Sequence, residues 1–254
     1  MDDGTKKPLV IICHGFMAFK DWGMFPFVGK EFTRYGFASV VFNFSHNGIA
    51  DTEKKITDYN AFEHNTLSQE LADIRRVTDE LYDGSLKKNF LNAETIALVA
   101  HSRGGGIAIV HAANDSRISM LATWSSISRF DRWNAQQKIR WREAGFLPAS
   151  NRMHTHPLKI GIDFLNDMEH NAEKFYIPAS ASRLTIPWLI VQGTEDVITP
   201  LSEAQELYEH SNKTQTEFLL LHRVGHLYNA LNEHDRTTVQ HLVDVTAHFF
   251  QSKL

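Results

Sequence analysis

Short, nearly continuous apolar runs recur along the chain, and between them apolar residues return at helical intervals. The first run, Pro8 to Cys13, ends at the polar pair His14-Gly15, and its continuity predicts a strand covered on both faces. From Met24 to Tyr35, Phe25, Val28, Phe32 and Tyr35 share one helical face, and Gly36 offers a left-handed C-cap before the strand FASVVFNF. After a polar loop, Thr66 and Gln69 form a candidate capping box for a helix with the stripe Leu67, Leu71, Ile74, Val77 and Leu81. The strand Thr95 to Ala100 then runs into His101-Ser102-Arg103-Gly104-Gly105-Gly106 and the helix IAIVHAA, and a further strand follows at Ile118 to Ala122.

This alternation predicts an α/β fold whose mostly parallel sheet has helices on both faces. It stops between Thr123 and Thr185, a gap too long for a bare loop, in which residues 129–145 and 158–174 have helical character and Pro148, Asn151 and Pro157 mark a break. An inserted helical cap over 124–185 is the expectation, with the core formed by 1–123 and 186–254. The pattern resumes with the strand Ile186 to Gln192, a helix to His210 capped by Thr199 with Pro200 at its first turn, and the strand Thr216 to Leu221. A last helix shows Val239, Leu242, Val243, Thr246, Phe249 and Phe250 at helical spacing.

Composition narrows the class. The 254 residues are 43% hydrophobic, enough for a sizeable core, and the formal charge of -4 supplies no basic field that would make nucleic acid the default partner. The apolar stretch Leu9 to Ile12 is too short for a signal peptide, and no stretch approaches the roughly 20 apolar residues of a membrane span, so no membrane association is expected. The single cysteine, Cys13, excludes an internal disulfide and points to the reducing cytoplasm. The charge is unevenly spread: residues 129–159 hold seven Lys or Arg against two acids, together with Trp133 and Trp141.

The strongest chemical signal is Ala100-His101-Ser102-Arg103-Gly104, a serine between small residues at a strand-to-helix turn, which is the context of a nucleophile elbow. Taken alone, the same glycines suit a tight turn that cradles an anion. A nucleophilic serine needs a base and a carboxylate that orients it. Asp196 in QGTEDVITP and His226 in RVGHLY each follow a strand, and the order Ser, Asp, His is that of the α/β-hydrolase class. Each has a plainer alternative, Asp196 as a turn cap and His226 as a loop imidazole; Glu195 and His222 are the reserve orienter and base. Negative charge developing on a carbonyl oxygen needs donors, for which the backbone N–H groups of Arg103 and Phe16 are the candidates. His14 fits a residue that ties its loop down, and Cys13 a buried, inert thiol.

VIICHGF at 10–16, VVFNFSHNG at 40–48, ALVAHSRGGG at 97–106, IPWLIVQGTEDVITP at 186–200 and VGHLY at 224–228 together resemble the α/β-hydrolase superfamily over nearly the whole chain. The likeness is to its small bacterial esterases, cinnamoyl and feruloyl esterases among them, and to the dienelactone-hydrolase or prolyl-oligopeptidase-like branch. The resemblance implies Ser102 as nucleophile, Asp196 as acid, His226 as base, and an oxyanion hole at Phe16 and Arg103. It also implies an inserted cap; the chain departs from the family in lacking the antiparallel strands that many relatives place before the HG strand, so a core of about six strands is the expectation. Ala100 replaces the usual elbow glycine.

The expected function is hydrolysis of small to medium, including aromatic, acyl esters through an acyl-enzyme, with a small-molecule ester as partner and no cofactor or metal. Met17, Trp124, Trp133 and Trp141 are the candidate pocket residues, with Phe130 and Phe146 as further cap aromatics; the cap aromatics serve equally well as packing. Amide cleavage, thioester or lactone hydrolysis, and a noncatalytic ligand-binding role on the same fold are the alternatives. The fourteen histidines include the metal-like pair His154 and His156, which lacks a nearby carboxylate pattern. A homodimer is compatible with the sequence.

Overall fold

A computed structural model of the chain describes residues 6–50, 53–149, 157–232 and 234–254. The first unit is the strand β1 (Lys7–Cys13), the helix α1 (Phe25–Arg34) and the strand β2 (Ala38–Val41). Gly36 takes φ +85°, the left-handed turn expected after the helix, and β2 is shorter than the apolar run FASVVFNF. A short helix α2 (Tyr59–Glu63) precedes α3 (Leu67–Tyr82). Thr66 caps α3 by accepting the Gln69 N–H at 3.2 Å; the Gln69 side chain receives the Thr66 hydroxyl instead of returning to the backbone.

The central unit is β3 (Leu91–His101), α4 (Arg103–Ala112) and β4 (Ile118–Trp124). Then come α5 (Ala135–Ala144), β5 (Phe146–Ala149), β6 (Leu158–Gly161), α6 (Ile162–His170) and α7 (Ile177–Arg183). The chain closes with β7 (Trp188–Gly193), α8 (Leu201–His210), β8 (Thr216–Leu221) and α9 (Thr237–Gln251). Six strands form one sheet in the order β2-β1-β3-β4-β7-β8, with every neighbouring pair parallel.

Because side chains alternate across a strand, each central strand feeds two cores. Leu9, Ile11, Ile96, Leu98 and Ile190 enter the core beneath α3, α4, α7 and the inserted segment. Val10, Ile12, Ala97, Val99 and Val191 enter the core beneath α1 and α9. Parallel strands present all their carboxyl ends on one rim, and the loops after β1, β3, β7 and β8 gather there.

Residues 124–185 depart from two continuous helices. Gly145 takes φ +76° and ends α5, and the chain then forms an antiparallel pair in which Phe146 faces Gly161 and Ala149 faces Leu158. The stretch 158–161 is therefore strand, and the helix begins only at Ile162. The local excess of positive charge is met from outside its own sequence: Arg129 and Arg132 pair with Glu206 and Glu203 of α8, and Arg142 with Glu169 of α6. His154 and His156 lie outside the described residues. Among the described residues no helix is long and apolar enough to cross a membrane.

Candidate functional site

Ser102 sits between β3 and α4 at φ +56° and ψ -125°, a conformation that costs a non-glycine residue about 1–3 kcal/mol and persists only where the surroundings enforce it. The enforcement is visible. The Ser102 N–H donates to the Trp124 carbonyl at 3.1 Å, locking the turn to β4. Gly104 lies so close to the loop after β1 that a Cβ there would stand 2.3 Å from the His14 carbonyl oxygen, and one on Gly15 would stand 2.8 Å from the Ser102 Cβ. Both glycines are required by close approach, and together they bring the Phe16 turn against the start of α4.

A line of hydrogen bonds leaves the serine. Ser102 Oγ is 3.0 Å from His226 Nε2, and His226 Nδ1 is 2.8 Å from Asp196 Oδ2. The Asp196 carboxylate is saturated: Oδ1 accepts the N–H groups of Ile198 and Thr199, each at 2.9 Å, and Oδ2 accepts the Thr199 hydroxyl at 2.7 Å. Burial works to raise its pKa, but the bonds from His226 and Thr199 outweigh it and hold the carboxyl well below its ordinary range. With Asp196 ionised, His226 Nδ1 carries the proton, which leaves Nε2 as the acceptor that faces the serine hydroxyl. Glu195 and His222 are exposed and take no part in this line.

The histidine loop is fixed from below. His101 Nε2 is 2.9 Å from the His226 carbonyl oxygen, and the two imidazole rings lie 4.7 Å apart. Burial, helped by the neighbouring His226, pulls the His101 pKa down to about 3, so the ring is neutral and its one N–H goes to that carbonyl. Two residues on, the Tyr228 hydroxyl meets Ser125 Oγ at 2.8 Å. On the opposite side of the serine, His14 Nδ1 is 2.8 Å from the Gly15 carbonyl oxygen, and its Nε2 accepts the Phe44 N–H at 3.3 Å. Burial lowers the His14 pKa to about 4, and this neutral ring ties down the loop that carries Phe16.

Beside Ser102 lies a cavity of about 210 Å³ walled by Phe16, Ile127, Phe130, Trp133, Ile160 and Phe164. The Arg103 side chain closes one side, its guanidinium 4.2 Å over the Phe16 ring and ion-paired with the buried Glu70. Arg132 closes another, paired to Glu203 and donating to the Ile198 carbonyl at 2.9 Å.

Of the four expected pocket residues, the structure brings only Trp133 to this cavity. Trp141 is buried behind it, 5.0 Å from the Trp133 ring in an edge contact and stacked on Phe164, so it supports the wall without forming it. Met17 is half-buried against the core in a left-handed turn of φ +58°. Trp124 is a correction: it follows Thr123 onto the other face of β4, is fully buried beneath α9, and donates its indole N–H to Thr246 at 3.1 Å. Phe146 pairs with Lys159 at 4.4 Å on the β5-β6 hairpin. Two participants escaped the sequence reading. Thr199 was expected to cap α8, yet Pro200 holds the cap position and the threonine hydroxyl turns to Asp196. His101 occupied a variable place in the elbow pattern; only the spatial neighbourhood of β8 reveals it. Among the described residues no group of three or more His, Cys, Asp or Glu is arranged to hold a metal ion.

Comparison with known proteins follows the same lines. The chain is 24% identical over 239 residues to an uncharacterized 31.7 kDa protein of the traX-finO intergenic region of Escherichia coli, covering 82% of this chain and 79% of that one. In fold it is similar to a monoacylglycerol lipase from Paleococcus ferrophilus, at TM-score 0.72 and 16% identity, covering 98% of this chain and 97% of that one. It is also similar to Est1E from Butyrivibrio proteoclasticus, solved with ferulic acid bound, at TM-score 0.70 and 19% identity, covering 98% and 90%. A family model of the alpha/beta hydrolase fold matches residues 8–144, more than half of the chain. The elbow, the all-parallel sheet and these matches agree, and the chain belongs to the alpha/beta hydrolase fold family.

Proposed function

We propose that the protein is a serine carboxylic-ester hydrolase acting on small to medium acyl esters through an acyl-enzyme. The observation that carries this reading is the unbroken line from Ser102 Oγ through His226 to Asp196, at 3.0 and 2.8 Å, starting from a serine held in a strained turn.

In this mechanism His226 Nε2 takes the Ser102 proton as Oγ bonds to the acyl carbon. The carbonyl oxygen gains negative charge and is met by the backbone N–H groups of Phe16 and Arg103, which sit on the two turns that Gly15 and Gly104 allow to touch. A donor of this kind is typically worth about 10²–10³ in kcat. The C–O bond to the alcohol then breaks, and the departing oxygen takes the proton from His226. Water, deprotonated by the same imidazole, attacks the acyl carbon and regenerates Ser102 with release of the acid. Asp196 keeps the imidazole in the required tautomer throughout.

The aromatic wall of Phe16, Phe130, Trp133 and Phe164 supports an acyl group that is apolar, aliphatic or aromatic, and the 210 Å³ volume supports a small one. The test is labelling by a serine-reactive fluorophosphonate, together with a panel of esters beside aminoacyl amides. Labelling of the wild type that disappears in Ser102→Ala, with ester turnover, is the expected result. Exclusive amide cleavage would overturn the ester assignment, and an unlabelled folded wild type would overturn the enzyme.

A further inference from the structure

Cleavage of an ester needs room for two groups, and the cavity walled by Phe16 and Trp133 provides for one. A second concavity, of about 610 Å³, opens on the other side of Ile198 and is lined by Ile198, Leu227, Asn229, Leu231, Asn232 and by His226 itself. Ile198 belongs to the walls of both, so it forms the ridge between them. The second groove is shallower and more open, yet its accessible surface is mainly carbon. Leu231 and Ile198 stand 59% and 57% exposed beside Val197 at 87%, an apolar rim that core packing does not use.

The order of the chemistry assigns the two sides. The leaving oxygen has to receive its proton from His226 Nε2, so the alcohol must depart over the histidine, whereas the acyl group stays on Ser102. His226 lines the larger groove, and Ser102 and Arg103 line the smaller, less open cavity. We propose that the groove along Ile198, Leu227 and Leu231 is the leaving-group subsite, and that the preferred substrates join a short acyl group to a long, uncharged apolar alcohol. This proposal rests on the serine-hydrolase reading and adds to it the substrate class.

Charge supports the choice of alcohol. Among the described residues that line the groove the one carboxylate is Asp235, which accepts the Thr237 N–H at 3.0 Å. A carboxylate on the wall disfavours an anionic leaving group such as a phosphorylated thiol or alcohol. The apolar rim favours an alkyl chain, at up to about fourfold in affinity per fully buried methylene and less in an open groove.

The experiment is two homologous ester series on the purified protein: acetates of ethanol, butanol and octanol, and ethyl esters of acetic, butanoic and octanoic acids. The expected result is a rise in kcat/KM of tenfold or more from ethyl to octyl acetate, and a fall from ethyl acetate to ethyl octanoate. Leu231→Gln should flatten the first series, and Leu220→Gln, on the exposed side of β8, should leave its slope intact. Equal rates along the alcohol series, or the reverse preference for long acyl chains, would overturn the subsite. Fluorophosphonate labelling separates the two levels: labelled protein with no alcohol preference loses the subsite alone, and protein that takes no label loses the serine chemistry on which the subsite depends.

Discussion

His101 donates its Nε2 proton to the backbone carbonyl of His226 at 2.9 Å, so the residue before the serine positions the loop that carries the imidazole facing it. Strand β3 thereby sets both ends of the Ser102–His226 hydrogen bond. His101→Leu removes this donor to the His226 carbonyl and is expected to lower kcat about tenfold with little change in KM. His101→Gln, which keeps an N–H, should recover a large part of the loss. Steady-state kinetics on a short ester, with circular dichroism as a check of folding, decides the matter; equal behaviour of the two variants would refute the positioning role.

Thr199 supplies the one hydroxyl bound to Asp196 Oδ2, while the two backbone N–H bonds to Oδ1 do not depend on its side chain. Thr199→Val keeps the shape and deletes that bond. We expect a loss of about 1–2 kcal/mol in stability and a several-fold fall in kcat, with Thr199→Ser close to wild type. Urea denaturation and initial rates measure both.

Three buried histidines give the fold a dependence on acid. Burial lowers His14 and His111 to about 4 and His101 to about 3, from 6.5 for an exposed imidazole. Above pH 6.5 these rings are neutral in both folded and unfolded chains and contribute no pH dependence. Below it the unfolded chain binds protons that the folded chain refuses, so stability falls as pH drops from about 6.5 towards 4, by up to about 1.4 kcal/mol per pH unit for each ring. At still lower pH, protonation of the Asp196 carboxylate removes a further contribution. Thermal melts between pH 8 and 4 should show Tm declining through this window, and a flat profile would contradict it.

Trp133 and Trp124 provide a paired test of which tryptophan meets substrate. Trp133→Ala enlarges the cavity beside Ser102 and should raise kcat/KM for longer acyl groups relative to acetyl. Trp124→Phe removes the bond to Thr246 on the opposite face, and should lower Tm without altering the acyl preference. An acyl-selectivity change in the second variant would place Trp124 differently.

Much of this arrangement was readable in the chain, and the limits follow from what a linear pattern encodes. Continuous apolar runs marked β1, β4 and β7, because buried parallel strands need apolar residues on both faces. The same continuity hides which face each residue takes, and Trp124, a candidate for the pocket, ends β4 pointing into the opposite core. Positions 158–161 have apolar spacing compatible with helix, but their partner is the strand 146–149 across the break, a pairing that no local window contains. The excess of arginine over 129–142 is partly offset for the same reason, since Glu203 and Glu206, which pair with Arg132 and Arg129, lie more than sixty residues downstream. Ser102, Asp196 and His226 were legible through their positions after strands; Thr199 and His101 were not, because each acts on a group distant in sequence or along the turn.

The left-handed turn at Ser102 has a consequence for selection. A glycine would occupy φ +56° without the steric penalty that serine bears, so Ser102→Gly is expected to melt at a higher temperature than the wild type while losing all acyl transfer. Stability alone would then favour erasing the nucleophile. If the proposed acyl transfer holds, the serine at that turn is kept against stability, and a lineage released from that activity should drift to glycine there before its neighbours in the sheet change.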